Sequence, residues 1–431
     1  MKRIAVVGLG YVGIPLACSF SRSGFDVIGI DINESKIKAI NEGICPIVGK
    51  EPGLKELFED AHKNHGLRAT NDFSKCGDAD AIFICVDTPI DERTKIPGFE
   101  ALRAAVSSIG ENLQEGALVS IESTIAPGTT SRVVKPILEE KSGMKVGEDL
   151  HLAHCPERLK VGKLLQNLIQ CDRVIGGIDA KSAEVAKGFY EHISKGELLL
   201  TDALTAEVVK TTENAYRDVE IAFANELALI CEKLGIDVFQ TRQLVNTSPD
   251  RHMHEPGSGV GGHCLPKDSW LLLYGAEMDP EGSLISLARD INDMMPHHLF
   301  NLTREAFKEA GRNLEGSNVA IMGFAFIEDS DDARNTPSLP VIERLRENGA
   351  RIIVHDPYAN GVEGVELTRD LDVALREADA AVFVTKHEVY RSLTPEELKS
   401  KMRGNIVVDG RNIFGKSEIQ RAGVVYRAIG K

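Results

Sequence analysis

A cysteine at the end of a glycine-rich segment is the residue of this chain best suited to chemistry. The segment from Pro256 to Asp268 reads Pro-Gly-Ser-Gly-Val-Gly-Gly-His-Cys-Leu-Pro-Lys-Asp, so that four glycines come before Cys264. Glycine lets the backbone approach a ligand closely and adopt conformations that a Cβ forbids. The alternative is a buried structural thiol, since unpaired cysteines are among the most buried residues. The glycines, with Lys267 and Asp268 beside the thiol, favour a nucleophile.

A second pattern, near the amino terminus, predicts a dinucleotide site. Residues 3–7 predict a strand, the turn Gly-Leu-Gly-Tyr-Val-Gly follows, a helix is expected from Ile14 to about Gly24, and a second strand over 26–30 ends at Asp31. The glycines allow a tight turn, the approach of a pyrophosphate to the helix N-terminus, and close helix–strand packing. The Asp31 carboxylate would accept hydrogen bonds from a ribose diol and repel a 2′-phosphate, which favours NAD over NADP. The candidate cofactor-binding residues of this region are Gly8, Gly10, Tyr11, Val12, Gly13 and Asp31.

Polar residues follow two further apolar runs. Residues 79–86 lead into Asp87-Thr88-Pro89, and residues 117–121 lead into Glu122-Ser123-Thr124. In doubly wound sheets the ligand lies beyond the carboxyl ends of the strands, and Thr88, Ser123 and Thr124 fall at such ends, so we expect Thr88 and Thr124 beside the cofactor. The alternative is that these hydroxyls cap helices, a common function of Ser and Thr at such junctions.

The C-terminal part repeats the plan of the first part. Residues 318–325 are similar to the first strand and turn, 350–356 to the second strand with its aspartate, and 378–385 and 404–409 to the two later strands. This repetition predicts a second Rossmann-like domain from about Gly316 to Lys431. Because it lacks the full glycine fingerprint, we expect it to bind a different nucleotide ligand.

Between these halves, a segment without proline or glycine predicts one long helix. Apolar residues recur at intervals of three, four or seven from Asp202 to Leu234, and Gly235 ends the run. A helix of this length is expected to bridge two domains and to form a dimer contact. Lys210 and Asn214 lie four residues apart and share one face of it. From the residues alone, a solvated surface position is the usual one for Lys210.

The composition limits the class of protein and its partners. With 431 residues the chain is long enough for two or three domains, and no run approaches the roughly 18–20 apolar residues of a membrane span. A net charge of −15 argues against a nucleic-acid partner. Eight cysteines without a Cys-x-x-Cys pair indicate a reducing compartment, so we expect a cytoplasmic protein.

A zinc site is an alternative use of the region around the cysteine. The residues that are zinc ligands by type are His252, His254, His263 and Cys264. Their spacing matches no standard zinc pattern, and adjacent side chains cannot easily point to one centre. We therefore expect no metal.

Six segments together resemble the UDP-glucose/GDP-mannose dehydrogenase family over nearly the whole chain. They are Gly8-Leu9-Gly10-Tyr11-Val12-Gly13, Cys155-Pro156-Glu157-Arg158, Glu213-Asn214-Ala215-Tyr216-Arg217, Phe223-Ala224-Asn225-Glu226, Gly261-Gly262-His263-Cys264-Leu265-Pro266-Lys267-Asp268 and Asp409-Gly410-Arg411. The resemblance implies oxidation of the C6 alcohol of a nucleotide sugar to a carboxylate, with two NAD⁺. Cys264 would form a thiohemiacetal and then a thioester, which water hydrolyses.

The resemblance also implies roles for single residues. Lys210 and Asn214 would stabilise oxyanions, and Asp268 would orient a water or the thiol. Glu157 and Thr124 would position the hydrolytic water, and Arg334 would reach the cofactor pyrophosphate. The expected substrate-binding residues are Arg158, Lys210, Asn214, Arg217, Arg251, Gly261 and Arg411.

Within the family, the chain is most similar to the branch that acts on UDP-N-acetylhexosamines. Residues 217–227 and Gly262-His263-Cys264 carry this similarity, which implies UDP-N-acetylmannosamine first, with UDP-glucose or UDP-N-acetylglucosamine as alternatives. Two positions depart from the pattern. Ile327, followed by Glu328, stands where many members have lysine, and Asp250-Arg251 stands where this branch often has His-Pro-Arg.

The predicted fold class is α/β, with two Rossmann-like doubly wound domains joined by a central helical domain with a long helix. We expect an NAD-binding domain over residues 1–200, a helical dimerisation domain over 201–312 that carries the cysteine loop, and a UDP-sugar-binding domain over 313–431. The active site would lie in the cleft between the Rossmann-like units of a homodimer or higher homo-oligomer.

Two other functions stay open at this level. A two-electron hydroxyacid dehydrogenase shares this architecture in part, but it needs no nucleophilic cysteine and has no second Rossmann-like domain. A sensor of NAD or a nucleotide sugar would keep the fold without turnover.

Overall fold

The computed structural model describes residues 2–47, 51–160, 162–361 and 364–431. The chain forms two compact units, one made of the residues up to Glu213 with Trp270–Asp279, the other of Asn214–Ser269 with Pro280–Lys431. The long helix described below passes from the first unit to the second. The predicted division into three domains stays a prediction. In the described ranges, no helix has the length and apolarity that crossing a membrane requires.

The first unit is built on an eight-stranded sheet. Its strands are β1 (Arg3–Val7), β2 (Asp26–Ile30), β3 (Arg68–Thr70), β4 (Ala81–Ile84), β5 (Leu118–Ile121), β6 (His151–His154), β7 (Arg173–Gly177) and β8 (Leu198–Asp202). The spatial order is β3-β2-β1-β4-β5-β6-β7-β8. All neighbours are parallel except β6 and β7, which pair antiparallel through Ala153 and Gly177. The sheet is therefore a doubly wound core extended by two strands.

Helices cover both faces of this sheet. They are α1 (Gly13–Arg22), α2 (Glu34–Asn41), α3 (Leu54–Asn64), α4 (Glu100–Gly110), α5 (Lys135–Ser142), α6 (Leu164–Gln170) and α7 (Ala180–Tyr190), with a 3₁₀ turn at Phe73–Asp78 and a π-helical turn at Thr130–Val134. Alternate residues of β1 enter different cores, since Ile4 and Val6 pack on one face and Ala5 and Val7 on the other. This pattern is expected for a parallel strand that is buried on both sides.

Four helices follow the first sheet. They are α8 (Ala203–Leu234), α9 (Val238–Val245), α10 (Leu265–Gly275) and α11 (Leu284–Glu309). The bounds of α8 confirm the long helix that the sequence predicted. In the second unit, Ala224 and Ala228 of α8 and Met295 and Leu299 of α11 share a core with the second sheet.

The second unit carries a six-stranded parallel sheet. Its strands are β9 (Asn318–Met322), β10 (Arg351–His355), β11 (Leu367–Thr368), β12 (Ala380–Phe383), β13 (Ile406–Asp409) and β14 (Val425–Ala428), and its helices are α12 (Ser338–Glu347), α13 (Leu371–Leu375), α14 (Glu388–Arg391), α15 (Pro395–Lys401) and α16 (Lys416–Arg421). The order β11-β10-β9-β12-β13-β14 repeats that of the first six strands of the first sheet. The predicted α/β class with two Rossmann-like sheets is confirmed.

Candidate active site

The first glycine turn has the backbone that the sequence predicted. Gly8 has a φ of +93°, and its N–H donates to the carbonyl of Ile30 at 2.8 Å. A Cβ on Gly13 would lie 1.9 Å from the carbonyl oxygen of Gly8, so only glycine fits there. A Cβ on Gly10, by contrast, would meet no atom of the described chain within 4 Å. Gly8 and Gly13 therefore build the turn, whereas Gly10 leaves open space beside it.

Asp31, which follows β2, ties this turn to α2. Its Oδ2 accepts hydrogen bonds from the N–H of Leu9 at 2.8 Å and from Nζ of Lys36 at 2.9 Å, and its Oδ1 accepts from the N–H of Asn33 at 2.9 Å. Burial alone would raise the pKa of Asp31, but the ammonium and the two N–H groups outweigh it and lower that pKa. Asp31 is thus held as a carboxylate, the form that can accept hydrogen bonds from a ribose diol.

The residues around the turn fit a dinucleotide. A helix N-terminus attracts an anionic group through its N–H groups and its dipole. Val12, which precedes α1, makes no side-chain capping hydrogen bond to the described part of the helix. The space beside Gly10 gives a pyrophosphate room at this end, and Tyr11 packs against the core of the first sheet.

Thr88 and Thr124 join the loops that follow β4 and β5. Both are buried, and Oγ1 of Thr88 donates to the carbonyl of Thr124 at 2.6 Å. The capping alternative is wrong, because Phe99 precedes α4 and Thr129 precedes the π-helical turn. The two threonines instead hold neighbouring strand ends together, where doubly wound sheets bind their ligands.

Lys210 is buried rather than solvated. Its Nζ lies 3.2 Å from Oε1 of Glu157, whose side chain is also buried. The other carboxylate oxygen of Glu157 accepts the N–H of Leu159. Two of the predicted catalytic residues therefore form one buried ion pair in the first unit.

Two carboxylates of α8, those of Glu207 and Glu213, also hold loops of the first unit. Glu213 pairs with Arg158 through two hydrogen bonds, one of them 3.3 Å long, while Arg158 also donates to the carbonyl of Asp172 at 2.8 Å. Glu207 accepts the N–H groups of Gly128 and Thr130 at 2.5 and 2.7 Å. Glu207, Lys210 and Glu213 make α8 the element that organises this edge of the sheet.

Cys264 stands immediately before α10. Its carbonyl accepts the N–H groups of Lys267 at 3.0 Å and of Asp268 at 2.9 Å, and the residue is partly exposed. The positive end of a helix dipole favours a thiolate over a thiol. This position suits a nucleophile, and that role stays a prediction.

A group of hydrogen-bonded polar side chains supports the first turn of α10. Oδ2 of Asp268 accepts from Nδ2 of Asn214 at 2.6 Å, and Oδ1 of Asp268 lies 2.8 Å from Nζ of Lys267. Asp268 and Lys267 are both buried. The structure therefore brings together two of the predicted catalytic residues, Asn214 of α8 and Asp268, which lies one turn after Cys264.

The glycines before Cys264 pack against other parts of the second unit. A Cβ on Gly261 would lie 2.5 Å from Cβ of Phe326, and a Cβ on Gly257 would lie 2.6 Å from Nη1 of Arg411. The N–H of Gly262 donates to a backbone carbonyl 2.8 Å away, in the loop after β9. At these positions the glycines approach other parts of the protein closely, and their approach to a ligand stays a prediction.

The predicted substrate and cofactor arginines of the second unit have different surroundings. Arg411 donates from Nε to the carbonyl of Val384 at 2.9 Å. Arg334 forms two hydrogen bonds to Asp332, of 2.9 and 2.6 Å. Their ligand contacts stay predictions.

Two more predicted arginines lie at the surface of the second unit. Arg217 is exposed on α8, and Arg251 is exposed with Nη1 3.2 Å from the carbonyl of Asp250. His254, a candidate zinc ligand by type, instead pairs with Glu220 at 3.3 Å. Across the described ranges, no three His, Cys, Asp or Glu side chains are arranged to hold a metal ion.

Comparison with protein families covers most of the chain. Residues 2–194 match the NAD binding domain of the UDP-glucose/GDP-mannose dehydrogenase family, residues 204–294 match its central domain, and residues 320–416 match its UDP binding domain. The chain belongs to the UDP-glucose/GDP-mannose dehydrogenase family. It is an NAD-dependent nucleotide-sugar dehydrogenase, and its C-terminal sheet lies in the UDP binding domain.

Individual relatives are similar over their full length. A UDP-N-acetyl-D-mannosamine dehydrogenase from Pyrococcus horikoshii is 38% identical, covering 100% of this chain and 99% of the relative. The solved UDP-D-ManNAc dehydrogenase from the same species has a TM-score of 0.93, with 100% and 99% coverage. A solved NDP-N-acetyl-D-galactosaminuronic acid dehydrogenase from Methanosarcina mazei is 42% identical, with a TM-score of 0.87 and coverage of 100% and 95%.

Sequence reasoning missed residues that hold the site. Lys36 pairs with Asp31, and Glu213 pairs with Arg158. The first pair carries a sequence signal, a lysine in the first turn of the helix that follows the aspartate. The second pair depends on a tertiary contact.

Proposed function

We propose that the chain oxidises the C6 alcohol of UDP-N-acetyl-D-mannosamine to the uronic acid, with two NAD⁺ consumed per sugar. The observation that carries the proposal is Cys264 at the N-terminus of α10, supported by the buried Asp268 and Lys267 and by Asn214, which donates to Asp268. A thiol in this position serves a four-electron oxidation, since a two-electron alcohol oxidation needs no covalent intermediate. The similarity to the UDP-N-acetyl-D-mannosamine dehydrogenase from Pyrococcus horikoshii favours the mannosamine derivative.

The cofactor would be held by the first unit. Gly8, Gly10 and Gly13, with Tyr11 and Val12 between them, would hold the pyrophosphate, and Asp31 with Lys36 beside it would bind the ribose diol. Thr88 and Thr124 would border the nicotinamide end, and Arg334 would reach the pyrophosphate. When bound, NAD⁺ accepts the hydride that leaves C6 in each oxidation.

Cys264 divides the second oxidation into two easier steps. The alcohol first loses a hydride and a proton to give the aldehyde. The thiolate then adds to the aldehyde carbon, and the former carbonyl oxygen takes a proton, which gives a thiohemiacetal. Loss of a second hydride and a proton gives the thioester. Water then cleaves the C–S bond to release the carboxylate and restore the thiol. Asp268 would orient the thiol or a water.

Lys210 and Asn214 would stabilise the oxyanions formed at C6. They lie one turn apart on α8 and share a face. A preorganised donor of this kind is typically worth about 3–4 kcal/mol in the transition state. Glu157, paired with Lys210, and Thr124 would position the hydrolytic water.

Substrate recognition would depend on positively charged side chains around the catalytic residues. Arg158, Arg217 and Arg251 are the proposed contacts for the sugar and phosphates, together with Lys210 and Asn214. Gly261 and Arg411 are proposed for the nucleotide. Ile327, followed by Glu328, stands where the family resemblance implies a lysine, so a substrate-side cation is missing or is supplied by another residue.

We also propose that the protein is a homodimer. Four side chains on one stripe of α8 are large, apolar and exposed, namely Tyr216, Phe223, Ile230 and Leu234. A stripe of this kind marks an interaction surface, and a second copy is the occupant that the family resemblance implies. Light scattering should give twice the chain mass for the parent protein and the chain mass for Phe223→Asp. A parent monomer would overturn the dimer.

The substrate is tested by a panel. NADH absorbance would be followed with UDP-N-acetylmannosamine, UDP-N-acetylglucosamine, UDP-N-acetylgalactosamine, UDP-glucose and GDP-mannose in parallel. We expect the highest kcat/KM with UDP-N-acetylmannosamine. Preference for UDP-N-acetylglucosamine or UDP-glucose would select the alternative substrate, and no turnover with any of them would leave a sensor.

A further inference from the structure

A row of buried polar side chains lies between α8 and α11 in the second unit. It consists of Asp218, Asn225, Arg289 and Asn292, each with at most 1% of its surface exposed. We call this set the polar row. Where two helices pack together, the facing side chains are usually apolar. Ala224 of α8 and Met295 of α11 follow this rule, but the polar row does not.

The hydrogen bonds of the polar row have one fixed direction. Nη1 of Arg289 donates to Oδ1 of Asp218 at 2.6 Å, and Nδ2 of Asn292 donates to the same oxygen at 2.8 Å. A carboxylate can only accept, so Asn292 must offer its amide nitrogen to Asp218 and its Oδ1 to the next residue. Nδ2 of Asn225 donates to that Oδ1 at 2.8 Å.

The row ends at the segment that leads to Cys264. With its amide nitrogen committed to Asn292, Asn225 presents Oδ1, which accepts the N–H of Gly257 at 2.9 Å. A later residue of the segment is held as well. Nδ2 of Asn335 donates to the carbonyl of Gly262 at 3.0 Å, in the loop that we call the cysteine loop, residues 257–264.

Stability alone does not account for the polar row. Buried charges and amides lose hydration, and well-packed apolar side chains in their place are often as stable or more stable. What an apolar pair cannot provide is an acceptor at a defined point for a backbone N–H. The observed contacts provide one at Gly257, seven residues before the thiol.

We propose that the polar row is a positioning device that fixes the cysteine loop and thereby places the Cys264 thiol for the second oxidation. The proposal rests on the function proposed above for Cys264. Asn225, which lies in the Phe-Ala-Asn-Glu segment, is the positioning residue at the end of the row. Asp218 and Arg289 set the orientation of both amides.

The first test needs no substrate. In Asn225→Ala, amide hydrogen exchange across residues 257–264 should become at least about tenfold faster, since the Gly257 N–H loses its acceptor. Thr303→Val is the matched control, because Thr303 is buried on α11 but donates only to the carbonyl of Leu299 at 2.9 Å. Exchange of the loop should stay unchanged in the control. Parental exchange in Asn225→Ala would overturn the proposal.

The second test measures how the product partitions. A displaced thiol slows capture of the aldehyde and spares the first hydride transfer, so Asn225→Ala should release about tenfold more aldehyde, trapped with semicarbazide, than the parent or Thr303→Val. A merely destabilised enzyme would lose both steps together. An unchanged ratio of aldehyde to acid would overturn the proposal. If the parent makes no acid, the proposed function fails while the exchange comparison still decides the positioning.

A conservative variant covers the case in which the alanine variant does not fold. A buried aspartate is driven toward its neutral acid, which has one O–H donor and one carbonyl acceptor, as an amide does. Asn225→Asp should therefore restore parental loop exchange and product ratio at about pH 6. Failure of this variant to restore either measurement, when folded, would overturn the proposal.

Discussion

The turns after the first strand of the two sheets share one construction. Gly8 and Gly323 have φ angles of +93° and +97°, and each donates its N–H to the end of the adjacent strand at 2.8 Å. In both units an aspartate follows that strand and accepts the N–H of the residue after the glycine. The distances are 2.8 Å to Asp31 and 2.7 Å to Asp356.

The two aspartates differ in what else they hold. Asp31 accepts one further N–H and the ammonium of Lys36, and the turn leads into α1 within five residues. Asp356 accepts four backbone N–H groups, from Phe324, Ala325, Tyr358 and Ala359, and lies 3.0 Å from Nε2 of the buried His387. Its side chain has no exposed surface.

The same turn can therefore either bind a ligand or be closed by contacts within the protein. In the first unit, Gly10 leaves open space and the helix N-terminus is near, so the turn can receive a ligand. In the second, the matching position is the buried Ala325, and α12 begins only at Ser338. In the second turn, the aspartate accepts hydrogen bonds from the backbone N–H groups of the turn itself. This agrees with an NAD binding domain first and a UDP binding domain second.

The largest expected effect is on the stability of the second turn. Asp356→Ala would leave four N–H groups and His387 without their acceptor, and we expect a loss of about 3–5 kcal/mol in the free energy of unfolding. Asp31→Ala, with fewer bonds at stake, should lose less. Urea denaturation of both variants measures the difference. Equal losses would break the comparison.

The next effect concerns NAD. Asp31→Ala removes the carboxylate proposed for the ribose and should weaken NAD binding by about 10- to 100-fold, the worth of a hydrogen bond to a charged group. Calorimetric titration gives the Kd. In Asp356→Asn, which keeps an acceptor at that position, NAD affinity should stay at the parental value; a matching loss there would contradict separate roles for the two turns.

A smaller effect comes from the open space in the first turn. Gly10→Ala adds a methyl group where the described chain has no neighbour, so folding should be unaffected. If the pyrophosphate occupies that space, NAD binding should weaken about tenfold. Thermal unfolding and titration separate the two effects. A variant that binds NAD as the parent does would place the pyrophosphate elsewhere.

The smallest effect is on acid stability. Burial opposes ionisation of Asp356, but the hydrogen bonds from His387 and the backbone outweigh it and hold its pKa well below the usual range. A lowered pKa contributes stability above the unfolded value of about 3.9, and this is lost as the pH falls.

Replacing each aspartate by asparagine compares the two contributions. Asp356→Asn should flatten the decline in unfolding free energy below about pH 4 more than Asp31→Asn does. Urea denaturation at neutral and acid pH measures the slopes. If the slope changed more in Asp31→Asn, Asp31 rather than Asp356 would be the carboxylate with the more strongly lowered pKa.

Much of the fold could be predicted because its signals are local. The apolar runs at residues 3–7 and 318–322, the glycine turns and the uninterrupted segment of α8 each specify an element without long-range information. The antiparallel pairing of β6 and β7 could not be predicted, because it depends on which way the chain returns after β6.

The members of the candidate site could be predicted better than their contacts. Cys264 and Asp268 stand out by type and spacing, whereas the role of Lys210 was implied only by the resemblance to the family. The Lys210–Glu157 pair could not be predicted, because it joins residues far apart in the chain and the sequence does not show whether a lysine is exposed or buried. The polar row was hidden for the same reason, as Asn225 and Gly257 meet only in the folded protein.

The central claim is that Cys264 carries the second of two oxidations. The most direct measurement is the yield of NADH per UDP-N-acetylmannosamine consumed, with semicarbazide present, in the parent and in Cys264→Ser. We expect two NADH and the uronic acid from the parent, and at most one NADH with trapped aldehyde from the variant. Two NADH and the uronic acid from Cys264→Ser at the parental rate would contradict the account.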